Sequence, residues 1–200
     1  MNTIIEFIKK NNGYARMKEL KQAGFHTRKI RILLQAGSIQ KVKPGLYKLP
    51  DVVSKDNYSQ GFIDVCKANP KGVVCLISAL DYHNLTDTNP SKIYLAVPNK
   101  DKLNKIEYPP VEVFYFRNRF YNCGIREIST KTGSFKVYNA EKTICDMFRY
   151  RNRLGEDLAL EGLRNYLKRK DASINKLWEY AIQCRVKTIM HPYIKAMVVE

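Results

Sequence analysis

The sequence lacks the features that mark membrane-spanning, secreted and zinc-binding proteins. No stretch approaches the ~18 apolar residues that a transmembrane helix needs. The first residues are not expected to form a signal peptide, because Glu6 interrupts their apolar run and Lys9-Lys10 end it. The five cysteines are widely spaced and include no CxxC pair, so neither a disulfide framework nor a zinc site is expected. We expect a cytoplasmic protein with reduced thiols and with no metal, cofactor or membrane partner.

Motifs of the common catalytic sites are also absent. The sequence contains no Walker loop, no GxGxxG, no HExxH and no GxSxG. Neither Gly-Ser pair is followed by the Asp-x-Asp pattern with which a nucleotidyltransferase holds metal ions. His83 and His191 stand alone, whereas a metal site needs several convergent ligands. The sequence therefore predicts no catalytic residue, although Glu141 and Asp146 leave open a metal-dependent nuclease whose ligands meet only in space.

Acidic residues are scarce in the first quarter of the chain. Residues 1–50 hold 11 Lys/Arg and two acids, a net charge of +9, whereas the remaining 150 residues carry a net charge of +7. The whole chain of 200 residues carries +16, and its hydrophobic content of 44% suffices for a packed core. Because the basic residues alternate with apolar ones, they predict a folded basic face. Such a face indicates a polyanionic partner, nucleic acid above all.

The pattern of residues 1–50 predicts three helices followed by a hairpin. The helices are expected at 3–10, 16–23 and 27–36, the last capped by Thr27. Two short alternating runs at 39–42 and 46–49 flank Lys43-Pro44-Gly45, which is a hairpin signal. This order of elements is typical of a winged helix-turn-helix domain.

The third helix carries the residues expected to read DNA. Ile30, Leu33 and Leu34 face the core, whereas Arg28, Arg31 and Gln35 share the opposite face by their i, i+3, i+7 spacing. Arg can pair with guanine and Gln with adenine in the major groove. The predicted DNA-binding residues are Tyr14, Arg16, His26, Thr27, Arg28, Lys29, Arg31, Gln35, Lys41, Lys43 and Lys48. Two alternatives remain for this surface: a merely solvated charged face, and a winged helix that binds protein.

The remaining residues predict a second domain. Polar residues 51–57 are interpreted as a linker, and residues 58–200 as a mixed α/β domain that ends in a helical bundle. Its expected helices lie at 58–68, 78–83, 140–151, 156–170, 173–183 and 188–198, and its strands at 72–77, 93–97, 111–116, 125–129 and 135–138. The fold class is thus α+β. A second basic cluster is either solvated or a further anion contact; its members are Arg149, Arg151, Arg153, Arg164 and Lys168.

Several runs resemble the AbiEi-type antitoxins of type IV toxin–antitoxin systems, which serve abortive infection and phage defence. Those that resemble the family's winged helix are Tyr14–Leu20, Gly24–Ile30 and Lys43–Tyr47. Those that resemble its second domain are Val73–Leu80, Tyr82–Thr86 and Lys136–Asp146. The order of these runs in one short chain is more specific than any one of them.

The resemblance implies a repressor that binds inverted repeats in its own promoter. It also implies a second domain that opposes a nucleotidyltransferase toxin, without requiring a stable complex with it. The family's DNA-contacting elements map onto Arg28, Lys29, Arg31 and Gln35 in the helix and onto Lys41 and Lys43 in the wing. Two alternatives from other classes remain, a nuclease-like enzyme and a ligand-responsive transcription regulator, and a monomer on two half-sites is as consistent as a dimer.

Overall fold

The computed structural model describes residues 3–50, 57–101, 103, 106 and 108–198. The chain divides into two units: unit 1 comprises residues 1–70, 102–111 and 128–135, and unit 2 comprises residues 71–101, 112–127 and 136–200. Most of the predicted linker, residues 51–56, lies outside the described residues, and Asn57 already begins a helix. Helices and strands occur in both units, which confirms the predicted α+β class.

Unit 1 follows the predicted order of elements with two additions, a short strand at residues 14–16 and a helix after the hairpin. Its helices and strands are α1 (Ile4–Lys10), β1 (Tyr14–Arg16), α2 (Met17–Gln22), α3 (Thr27–Gln35), β2 (Gln40–Lys43), β3 (Leu46–Lys48) and α4 (Asn57–Ala68). The strands form an antiparallel sheet in the order β1-β3-β2. Ile8, Leu20, Ile30 and Ile39 are buried together beneath it as the core.

Local signals explain where these helices begin and end. Thr3 and Glu6 form a capping box at the start of α1, because each side chain bonds the other's backbone N–H. Gly24 follows α2 with φ +83°, a left-handed conformation that favours glycine at this position. The predicted cap of α3 is wrong by one residue: His26 is the N-cap, without a side-chain cap bond, and Thr27 is the first helical residue.

Helix α4 belongs to unit 1, whereas the sequence predicts that the second domain begins at residue 58. Lys43 Nζ donates to the Ala68 carbonyl oxygen at 2.6 Å, and Lys48 Nζ donates to Asp64 Oδ2 at 2.6 Å. Unit 1 therefore extends beyond residue 50, because its hairpin is bonded to a helix that a local sequence pattern cannot connect with it.

Unit 2 contains a sheet followed by four consecutive helices. Its elements, some of which extend into unit 1, are β4 (Val73–Val74), α5 (Leu76–Tyr82), β5 (Ile93–Pro98), β6 (Val111–Phe116), α6 (Asn118–Tyr121), β7 (Ile125–Thr130), β8 (Gly133–Tyr138), α7 (Ala140–Leu154), α8 (Glu156–Leu167), α9 (Ile174–Gln183) and α10 (Lys187–Val198). The strand order is β6-β5-β4-β8-β7, with β4 antiparallel to β5 and parallel to β8. The predicted strand at 72–77 is shorter, because Leu76 already begins α5.

The core of unit 2 lies where the helices meet the sheet. Buried side chains of α5, α7, α8 and α9 pack there with strand residues such as Phe116 and Tyr138. Gly162 allows α8 to approach α5 closely, since a Cβ at this position would lie 2.8 Å from Leu80 Cδ2. Arg149 of α7 also packs against α6, with its guanidinium 3.4 Å from the Phe120 ring centre.

Candidate nucleic-acid interface

Helix α3 presents a basic, acid-free face to solvent. Arg28, Lys29, Arg31 and Gln35 are all exposed, whereas Ile30 on the opposite side is only 1% exposed. Side chains three and four positions apart share a helix face, so Arg28, Arg31 and Gln35 point the same way. No described residue pairs with any of these four side chains through a hydrogen bond or an ion pair. Their donors are therefore available to an external partner.

The residues at the start of α3 are also at the surface. His26 and Thr27 are exposed, and neither side chain is taken up by a cap bond. Arg16 at the end of β1 is exposed as well, while its backbone N–H donates to Glu19 Oε2 at 2.7 Å. Lys41 in β2 is exposed. These four positions agree with the surface that the sequence predicts.

Tyr14 does not lie at the predicted surface. Its side chain is 4% exposed, and its hydroxyl donates to Asp64 Oδ1 and accepts from Gln60 Nε2. Lys67 adds its ammonium 4.2 Å from the centre of the Tyr14 ring. Burial and the neighbouring Asp64 carboxylate raise the pKa of the Tyr14 hydroxyl, so it remains protonated as a donor. Tyr14 is therefore a structural residue that cannot reach a DNA phosphate.

Two of the predicted wing lysines are directed toward helix α4. Lys43 and Lys48 are half-buried, and each donates a bond of 2.6 Å to this helix. Burial, together with the positive charge of Arg16, lowers the pKa of Lys43. Asp64 neutralises much of the charge of Lys48. Both lysines hold the hairpin in place and offer less charge to a phosphate than the sequence suggests.

The basic face includes one residue that was not predicted to be part of it, Ile32. Ile32 is 53% exposed, although it is a large aliphatic side chain, and it lies outside the core of unit 1. Its position is i+4 from Arg28 and i−3 from Gln35, so it stands among the predicted reading residues. Helical spacing contains this signal, because Leu33 and Leu34 fall on the core side of α3 and Ile32 does not.

The second basic cluster is mostly engaged inside unit 2. Arg149 donates to the Cys184 carbonyl oxygen and Arg151 to the Phe148 carbonyl oxygen. Arg153 donates to Glu112 Oε1 at 2.7 Å and lies over the Phe114 ring. Arg164 and Lys168 are exposed. The three arginines of α7 thus bind elements of their own unit, which makes this cluster a weak candidate for an anion site.

The two acids considered as nuclease ligands are structural in unit 2. Asp146 is 0% exposed and forms an ion pair with Lys142, itself 0% exposed and placed over the Phe116 and Tyr138 rings. Burial alone would favour the neutral amine, but Asp146 outweighs it and raises the pKa of Lys142, which keeps its charge. Glu141 accepts a bond from the Tyr166 hydroxyl at 3.0 Å. Across the described residues, no group of three or more His, Cys, Asp or Glu side chains fits a metal ion.

The comparison with known proteins concerns the first quarter of the chain. The family model described as "Transcriptional regulator, AbiEi antitoxin" matches residues 2–50. No protein with a curated description matches the chain. Within the described residues, no helix combines the length and the apolar character that a membrane span requires.

The match covers the elements that carry the basic face, α1 through β3. It supports a role as an antitoxin and transcription regulator. The resemblance to AbiEi-type antitoxins that the sequence predicts is therefore confirmed over residues 2–50.

Proposed function

We propose that this chain is an antitoxin and the transcriptional autorepressor of a type IV toxin–antitoxin operon. Residues 1–50 act as a winged helix-turn-helix that binds inverted repeats in the operon's promoter. The C-terminal antitoxin domain, predicted over residues 58–200 and ending in a helical bundle, counteracts a nucleotidyltransferase toxin, although its first helix, α4, belongs to unit 1. The family match over residues 2–50 supports both roles.

The exposed face of α3 is the observation on which the DNA-binding proposal depends. Helix α3 contains no acidic residue, and its Arg28, Arg31 and Gln35 side chains are exposed on one side. An α-helix fits the major groove of B-DNA, where Arg pairs with guanine and Gln with adenine through two hydrogen bonds. A helix that is merely solvated tolerates acidic residues as well as basic ones. Helix α3 contains none, although the chain carries 19 acids elsewhere.

The hairpin β2–β3 acts as the wing beside this helix. Its Lys43-Pro44-Gly45 turn is bonded to the first residue of α2, because the Gly45 carbonyl oxygen accepts from the Met17 N–H at 2.8 Å. Lys41 and Arg16 are exposed and are proposed as phosphate contacts, which add affinity without sequence information. Lys43 and Lys48 contribute mainly by holding the hairpin against α4.

Binding to the promoter fragment of the chain's own operon tests the repressor role. We expect saturable binding with footprints on both halves of an inverted repeat, and much weaker binding to a scrambled fragment of equal length. Affinity should fall steeply with salt, since each phosphate contact contributes about −0.9 to the log–log slope. Equal affinity for the promoter and the scrambled fragment at every salt concentration would contradict a repressor.

Co-expression tests the antitoxin role separately. Cells that express a nucleotidyltransferase toxin encoded in the same operon should grow when the full chain is present and stop growing when it is absent. The Arg31→Ala variant should bind the promoter more weakly but keep this protection, because Arg31 lies in unit 1 and the proposed antitoxin role does not use it. A chain that binds the promoter but never restores growth would remain a repressor and would lose the antitoxin assignment.

A further inference from the structure

Ile32 presents an aliphatic side chain where a DNA-binding helix normally exposes polar groups. It is 53% exposed, and it is the large exposed hydrophobic residue of α3. The inward residues of the helix are Ile30, which is 1% exposed, and the half-buried Leu33 and Leu34. The core of unit 1 is therefore complete without Ile32, and folding alone does not account for an isoleucine at this place.

The surroundings of Ile32 select the chemistry of its partner. One turn away on the same face lie Arg28 and Gln35, and Arg31 is adjacent. These neighbours carry positive charge and no negative charge, so a partner that covers Ile32 must be anionic and must also offer a small apolar group. Double-stranded DNA has this combination in its major groove, where the thymine C5-methyl group is the apolar feature among hydrogen-bonding base edges.

From this juxtaposition we infer that Ile32 is a specificity-determining residue that packs against the methyl group of a thymine in the operator. The inference rests on the proposed DNA-binding function and deepens it. Arg28, Arg31 and Gln35 are able to read hydrogen-bonding groups, whereas Ile32 distinguishes thymine from cytosine by its methyl group. The operator is thus expected to contain a thymine next to the purines that the arginines and the glutamine contact.

Uracil-substituted DNA isolates this contact, because uracil differs from thymine only by the missing methyl group. The operon's promoter fragment is prepared twice, with thymine and with uracil at every such position, and titrated with the full chain. One buried methyl group is worth roughly a fourfold change in affinity. We expect the wild-type chain to bind the thymine fragment roughly fourfold more tightly for each half-site that it occupies.

The Ile32→Ala variant tells whether this preference passes through Ile32. It should bind the thymine fragment more weakly than the wild type and discriminate little between the two fragments. Ile182→Ala is the matched control, since Ile182 is 57% exposed on α9 in unit 2. It should keep the full preference for thymine. Thermal unfolding should be similar for both variants, because neither side chain is buried.

Three outcomes would overturn the inference. An unchanged thymine-to-uracil ratio in Ile32→Ala, with saturable promoter binding intact, removes Ile32 from base reading and leaves the proposed function standing. Absence of saturable binding by the wild type removes the proposed function and the inference together. A smaller sedimentation coefficient of free Ile32→Ala than of the free wild type would show that Ile32 lies between two copies of the chain instead.

Discussion

Lys48 of β3 donates from Nζ to Asp64 Oδ2 across 2.6 Å and joins the hairpin to helix α4. The side chain of Lys48 is 16% exposed and that of Asp64 is 4% exposed, so the two charges form a largely buried pair. Asp64 also accepts from the Tyr14 hydroxyl through its other oxygen. Three segments far apart in sequence, around Tyr14, Lys48 and Asp64, are thus joined through one carboxylate.

Replacing Asp64 by alanine should destabilise unit 1 strongly. The change leaves Lys48 and the Tyr14 hydroxyl without their partner in a buried place, and such a loss costs ~3 kcal/mol. Urea unfolding of the full chain measures it. Asp87→Ala is the control, because Asp87 is an exposed acid whose side chain has no hydrogen bond to a described residue. Equal losses in the two variants would mean that the pair does not hold α4 in place.

The buried pair of α7 leads to a second stability prediction. Lys142→Met removes the only ion-pair partner that the described residues offer to Asp146, and we expect the free energy of unfolding to fall by ~3–5 kcal/mol. Lys142→Met/Asp146→Leu should be more stable than Lys142→Met alone, because no charge is then left buried. Chemical denaturation of the two variants checks the order. A double variant less stable than Lys142→Met would contradict the arrangement.

His83 should make unit 2 less stable in mild acid. Its Nε2 bonds the Tyr138 carbonyl oxygen at 2.7 Å, and burial lowers the pKa of His83 below its ordinary value of 6.5 in spite of this bond. As the pH falls below 6.5, His83 becomes protonated in the unfolded chain, whereas in the folded chain it stays neutral until the pH is lower. Stability therefore decreases with falling pH in this window, until the folded histidine titrates as well.

Unfolding curves at several pH values between neutrality and mild acid measure this dependence. His83→Gln should flatten it, since glutamine does not titrate. His191→Gln serves as the control, because His191 is exposed at the surface of α10. A pH dependence that is the same in the wild type and in His83→Gln would assign it to other groups.

Alanine substitutions at Gly24 and Gly124 distinguish the cost of backbone strain from the cost of steric overlap, because both glycines have a left-handed backbone but only one is closely surrounded. Gly24 has φ +83° and no atom within 4 Å of an added Cβ, whereas Gly124 has φ +76° and Lys142 Cβ at 2.7 Å. Gly24→Ala should cost the backbone strain of about 1–2 kcal/mol. Gly124→Ala should cost this and a further ~1–3 kcal/mol of overpacking. Thermal melts of both variants compare them, and equal losses would contradict the close contact.

Local signals explain which parts of the fold were predictable from the sequence. Helices α1 to α3 have a capping residue or a following glycine, and the hairpin has Pro-Gly at its turn, so each is encoded within a few residues. Strand β1 is not predictable in this way, because three residues are too few to show a periodicity. Only its pairing with β3, Tyr14 opposite Lys48, defines it.

The candidate site was predictable where it depends on one helix. The face of Arg28, Arg31 and Gln35 follows from helical spacing alone. Tyr14 and Lys48 look like DNA contacts in the sequence, but both bond Asp64. Asp64 lies in α4, and no sequence pattern indicates that α4 packs against the hairpin. Residues whose roles depend on such distant contacts cannot be classified from a single sequence.

The affinity of Arg31→Ala for the promoter fragment tests the central claim most directly. Fluorescence anisotropy is measured on the promoter and on a scrambled fragment at one salt concentration, with Arg164→Ala, an exposed arginine of α8, as the matched control. We expect Arg31→Ala to lose roughly 1–3 kcal/mol on the promoter and less on the scrambled fragment. Arg164→Ala should bind like the wild type. Promoter affinity that is unchanged in Arg31→Ala, or that is lost equally in Arg164→Ala, would contradict a reading surface on α3.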